Sequence, residues 1–118
     1  MITAAGIMFV DPTGAVLLLR RTEAGDAEGA WAFPGGKLEE GETTAEAARR
    51  ECVEELGSCP EGELSEWTHR IRDSVDYTTF IQRVPERFSP TLNEEHDAFE
   101  WANVEELLGK PGELTEDC

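Results

Sequence analysis

Residues 36–58 read GKLEEGETTAEAARRECVEELGS, and the second half of that stretch carries the local signs of a helix. Thr43 and Glu46 stand at the spacing of a capping box, in which each side chain satisfies a backbone N–H of the other. Gly57 is the residue type that ends helices in a left-handed conformation. The pattern predicts a helix over 44–56. Ala45, Ala48, Cys52 and Leu56 recur at helical spacing, so that stripe is expected to pack on a sheet. Glu51, Glu54 and Glu55 fall at i, i+3 and i+4 and share an arc of about 100°, which is read here as the face opposite the apolar stripe. Like charges so placed weaken a helix by roughly a few tenths of a kcal/mol per pair. A hard cation such as Mg²⁺ takes clustered carboxylate oxygens and removes that repulsion. Acid-rich helix faces are more often simply solvated, and ordinary ion pairs, Glu46 with Arg50 or Arg50 with Glu54, account for the three glutamates taken alone better than a metal does.

Working outward, residues 7–10 and 15–20 read as strands joined by Asp11-Pro12-Thr13-Gly14, a tetrad suited to a type I turn. Residues 22–30 are polar and glycine-containing, hence a loop. Residues 31–33 form a short strand ending at Pro34-Gly35-Gly36, where the glycines permit close approaches that a Cβ would block. Residues 67–72 and 75–84 predict a hairpin turning near Asp73-Ser74. Residues 85–93 are irregular and 98–101 a short strand, with Asn103 capping a last small helix ended by Gly109 and Pro111. Strands, one long helix, strands and one short helix make an α+β layered domain. The single domain is expected to span residues 1–118.

The composition narrows the chemistry. The chain has 118 residues, 10 basic and 26 acidic side chains and a net charge of −16. Such a field repels nucleic acid polymers and anionic membranes, so neither is an expected partner. An acidic chain that handles phosphates must recruit cations. Cys52, Cys59 and Cys118 make no C-x-x-C pair and read as reduced thiols, which with the lack of a basic, signal-like start points to the cytoplasm. No apolar run approaches the roughly 20 residues of a membrane span.

Gly36, Glu42, Arg50, Glu51, Glu54, Glu55 and Gly57 together resemble the Nudix box, the loop-helix-loop motif of the Nudix hydrolases, with the box at 36–58. Cys52 and Ser58 stand where aliphatic residues are usual. The flanking Leu17 to Arg21 (LLLRR) and Trp31 to Gly41 (WAFPGGKLEEG) are similar to the MutT branch, the nucleoside triphosphate pyrophosphohydrolases. The resemblance implies an α/β/α sandwich with a mixed sheet. It also implies hydrolysis of a nucleoside diphosphate linked to another group, with Mg²⁺ or Mn²⁺ as cofactor. In that family reading Glu51, Glu54 and Glu55 hold the metal, one of them helps deprotonate water, and Arg50 orients them. Gly36 and Lys37 offer backbone groups near metal and phosphate, while Glu42 steadies the loop.

Outside the box, Glu95 sits where the MutT branch often has an additional metal-binding glutamate, with Glu94 and Asp97 as alternatives. Arg21 has the spacing of a phosphate-contacting arginine, with Arg20 as the alternative. Phe33, Tyr77 and Phe80 are candidates to stack a base, although aromatics on strands of a small domain are more often core. His69 and His96 have no ligand-like spacing and read as surface or hairpin residues. Only a short tail follows Trp101, which would leave an apolar sheet face open for a homodimer.

The expected reaction is cleavage of a (d)NTP to a nucleoside monophosphate and pyrophosphate. ADP-ribose, nucleotide sugars and dinucleoside polyphosphates stand behind it. The chain has no proline between Pro60 and Pro85, where the ADP-ribose branch tends to carry one, and Tyr77 falls slightly late for the dinucleoside branch. A nucleotide-sensing module that does not cleave is the alternative of another class. Such modules usually have eroded box glutamates, and the four here are intact.

Overall fold

The structure is a computed structural model that describes residues 1–22, 31–103 and 114–115. Its elements are β1 Ile2–Val10, β2 Ala15–Arg21, β3 Trp31–Ala32, β4 Gly35–Lys37, α1 Thr44–Leu56, β5 Ser65–Arg72, β6 Val75–Arg83, β7 His96–Asn103 and β8 Leu114–Thr115. The strands form one mixed sheet, ordered β5-β6-β1-β2-β3-β8, with β4 paired to β1 and β7 to β2. This is the predicted mixed sheet carrying the box helix. α1 is the helix among the described residues, and the short helix expected after Asn103 lies outside them.

The local rules account for most elements. The helix begins at the predicted capping box, with Thr43 Oγ1 accepting from the Glu46 N–H at 3.1 Å and Glu46 Oε1 from the Thr43 N–H at 2.9 Å. Glu46 is thereby committed to the cap rather than to Arg50. Gly57 ends the helix at φ 84°, a backbone conformation that costs a residue with a Cβ. Asp11 builds the β1–β2 turn, its Oδ1 accepting from Thr13 N–H, Thr13 Oγ1 and Ala15 N–H at 2.7–2.9 Å. The β5–β6 hairpin turns at Asp73 and Ser74, both at positive φ, as the primed turns matching strand twist require.

β1 starts five residues before the predicted strand and β7 two before. β1 pairs in parallel with β6 from Ile2↔Val75 to Val10↔Arg83, and this long-range partner draws in the whole first segment. Side chains alternate across β1 and β2. Ile7, Phe9, Leu17 and Leu19 pack with Ala48, Cys52 and Leu56 of the helix, while Met8, Val10, Val16 and Leu18 pack on the other face with Phe33 and Ala102. On both faces the centre of the sheet, at β1 and β2, is thus buried, while Trp67 and Ile71 of β5 and Phe99 of β7 stay exposed. Cys52 and Cys59 are free thiols. Among the described residues no helix is long and apolar enough to cross a membrane.

Candidate active site

The site lies where α1 crosses β4. Close packing of the two explains the paired glycines. A Cβ on Gly35 would collide with the Ala5 carbonyl oxygen, and one on Gly36 would stand 2.5 Å from Cδ of Glu51. Bare backbone thus lies directly against the helix carboxylates. The Gly35 N–H donates to Glu55 Oε1 at 2.9 Å.

The acidic arc adjoins the apolar stripe instead of opposing it. At about 100° per residue, Glu55 falls only about 20° from Ala48, and its side chain is accordingly buried, at 1% exposure. Burial pushes the Glu55 carboxyl up to about 9, with the Gly35 N–H opposing and the Glu51 and Glu95 charges adding to it. Glu51 is raised as well, first by burial and against the pull of Arg50. Glu54, half exposed, faces water. The three glutamates therefore form a gradient from buried to open along one face.

Arg50 ties this face to the loop before the helix. Its Nε and Nη2 donate to the two oxygens of Glu42 at 2.8 and 3.0 Å. Nη1 donates to Glu51 Oε1 at 2.9 Å and to Glu54 Oε2 at 3.2 Å, and Nη2 also donates to the Lys37 carbonyl at 2.9 Å. A planar guanidinium can serve so many acceptors because its donors are fixed in a fork. Glu42 in turn accepts from the Glu39 N–H at 2.7 Å, and its carboxyl is held below its ordinary value chiefly by Arg50. Of the two pairings offered by the sequence for Arg50, the one with Glu54 forms, and the guanidinium also reaches the loop at Lys37 and Glu42.

A second wall comes from the turn before β7. Glu95 is exposed, and its backbone is pinned to the end of β2, where Thr22 N–H donates to the Glu95 carbonyl at 3.0 Å. A Glu95 oxygen, a Glu55 oxygen and a His96 ring nitrogen lie within 4.8 Å of one another. Asp97, the alternative to Glu95, is drawn away by Arg20 at 2.8 Å, and that ion pair commits Arg20 too. Arg21 is partly buried at the end of β2, across the ladder from His96.

Two sequence readings need correction. Phe33 is buried at 3% exposure with Met8, Val16 and Leu18, and Tyr77 at 4% with its hydroxyl against Gly6 and Gly35. Both aromatics are packed against protein, so neither presents a face for stacking a base. Tyr77 instead supports β4 from beneath. His96, read as a surface residue, is buried at 3% exposure. Burial, and next the Arg21 charge, hold its imidazole below its ordinary value. Its adjacency to Glu95 was the available signal, hidden because alternate strand residues normally face opposite ways. Here Glu95 belongs to the turn and only His96 to the strand.

Clustered carboxylates, a raised and buried Glu55 and a neutral imidazole are a donor set that fits a divalent cation. Known proteins agree with this architecture. A family model described as NUDIX domain matches residues 2–117. A CTP pyrophosphohydrolase of Escherichia coli (strain K12) is 31% identical over 105 residues, covering 86% of this chain and 76% of that protein. An octanoyltransferase of Myxococcus xanthus is 36% identical over 105 residues, covering 82% of this chain but 29% of that much longer protein. Among solved structures, the MutT protein from Methanosarcina mazei Go1 superposes with a TM-score of 0.72 at 26% identity, covering 92% of this chain and 80% of that one.

Proposed function

The chain belongs to the NUDIX family of pyrophosphate-bond hydrolases, and we propose that it cleaves a nucleoside triphosphate to the monophosphate and pyrophosphate with Mg²⁺ or Mn²⁺. The observation that carries this reading is the face on which Arg50 gathers Glu42, Glu51 and Glu54 while β4 holds Glu55. The triphosphate is favoured by likeness to the CTP pyrophosphohydrolase and to the MutT protein.

Glu51, Glu54, Glu55 and Glu95 are the residues that would hold the metal, with the Gly36 backbone beside them. A divalent cation neutralises polyphosphate charge and lowers the pKa of bound water. The chain's own groups do the rest. Arg50 fixes the rotamers of Glu51 and Glu54, so that no reorganisation is needed when charge develops. One carboxylate of the helix face accepts the proton of the attacking water. Arg21, at the end of β2, and Lys37, exposed on β4, are the cations that would meet phosphate oxygens in a chain of net charge −16.

The test is a Mg²⁺-dependent panel of canonical and oxidised (d)NTPs, ADP-ribose, nucleotide sugars and dinucleoside polyphosphates, with products identified. The expected result is preference for a triphosphate, with monophosphate and pyrophosphate as products. Preference for ADP-ribose or a dinucleotide overturns the substrate and keeps the catalytic face. Metal binding without turnover on any of them would make the chain a nucleotide-sensing module.

A further inference from the structure

His96 is the feature that the hydrolytic reading leaves unused. Its ring is 3% exposed, yet neither Nδ1 nor Nε2 has a hydrogen-bond partner among the described residues. Buried polar atoms are nearly always satisfied, and each one left unmade costs free energy. One ring nitrogen lies within 4.8 Å of carboxylate oxygens from both Glu55 and Glu95. Glu55 is likewise buried, at 1% exposure, with the Glu95 carboxylate close by. A cation among the three atoms would pair one of the two ring nitrogens and neutralise the adjoining carboxylates. The backbone holds the group in place, since the His96 N–H meets the Asn93 carbonyl at 3.4 Å and the Glu95 N–H meets Asn93 Oδ1 at 3.0 Å.

We propose that His96 supplies a nitrogen ligand to a divalent first-row transition ion held jointly with Glu55 and Glu95. The inference rests on the reading of those two glutamates as metal ligands and adds the chemical identity of the ion. Mg²⁺ prefers oxygen ligands, whereas imidazole suits Fe, Ni, Cu and Zn ions, with Mn²⁺ the weakest binder of the first-row series. The position beside β7 therefore favours a first-row transition ion over Mg²⁺, and Mn²⁺ serves as its spectroscopic probe. Glu51 and Glu54 remain an all-oxygen face open to Mg²⁺.

Electron spin echo spectroscopy of the full chain loaded with Mn²⁺ tests this directly. The expected spectrum contains a nitrogen modulation from imidazole, retained in His69→Gln and lost in His96→Gln. Mn²⁺ affinity, read from the free-ion resonance, is expected to fall at least about tenfold in His96→Gln, with Mg²⁺ affinity nearly unchanged. Absence of nitrogen modulation in the wild type overturns the inference, as does a modulation that survives His96→Gln. If that variant fails to fold, wild-type protein carrying nitrogen-15 histidine decides the matter. A coupling that changes with the label supports the ligand, and no coupling refutes it. Triphosphate hydrolysis followed in the same samples keeps the two readings separable, because nitrogen coordination without hydrolysis sustains this site and removes the proposed activity.

Discussion

Gly35 and Gly36 are adjacent, yet a methyl group on each meets a different obstacle. On Gly35 it strikes the Ala5 backbone, which cannot yield without parting β4 from β1; on Gly36 it strikes the Glu51 carboxylate. Gly35→Ala is therefore expected to destabilise the fold by about 1–3 kcal/mol, seen as a lower melting temperature. Gly36→Ala is expected to melt close to wild type and to lose hydrolysis at least tenfold, roughly the cost of a displaced catalytic group. Equal melting losses in the two variants would contradict that division. Asp11 illustrates the acid side. Arg87 first, and then the turn donors, hold its carboxyl well below the ordinary range. A depressed carboxyl stabilises the fold above its unfolded value and loses that contribution as pH falls through and below about 4. Acid denaturation of the wild type should consequently be steeper below pH 4 than that of Asp11→Asn, with the two curves approaching at the lowest pH. At this scale the sequence was legible where spacing decides position: Glu51, Glu54, Glu55 and Arg50 share a helix face whatever surrounds it. Phe33, Tyr77 and His96 were not, because burial on a strand depends on partners distant in the chain.

The helix is the element on which the site depends, and its start is set by four residues that need no tertiary context. Thr43→Ala removes the side-chain acceptor at the cap and is expected to cost about 1 kcal/mol of stability, read as a shift of denaturant midpoint with unchanged slope. An unchanged midpoint would mean that the cap contributes nothing once the helix is packed. The capping residues at the start and Gly57 at the end explain why 44–56 could be delimited from sequence, as could the turn at Asp11–Gly14 and the hairpin at Asp73-Ser74. The strand ends were harder. β1 extends to Ile2 because β6 pairs with it in parallel, and no local pattern specifies a partner more than sixty residues away. The relation between the acidic and apolar stripes was available from helix geometry alone, since Glu55 falls beside Ala48. That adjacency is what buries one carboxylate and leaves Glu54 in water.

The whole molecule carries a charge of −16, and Glu42, Glu51 and Glu54 gather around Arg50 on the face proposed as catalytic. Such a chain repels the proposed triphosphate unless cations intervene. Excess EDTA is therefore expected to abolish turnover, and duplex nucleic acid should not be retained at physiological salt. The measurement that tests the account most directly is phosphorus NMR of a nucleoside triphosphate incubated with wild-type protein and with Glu55→Gln, with and without Mg²⁺. Monophosphate and pyrophosphate should accumulate only with wild type and metal, and Glu55→Gln should be slower by at least about 100-fold while remaining folded. Turnover that persists in EDTA, or a Glu55→Gln rate equal to wild type, would contradict the assignment of this face as the catalytic one.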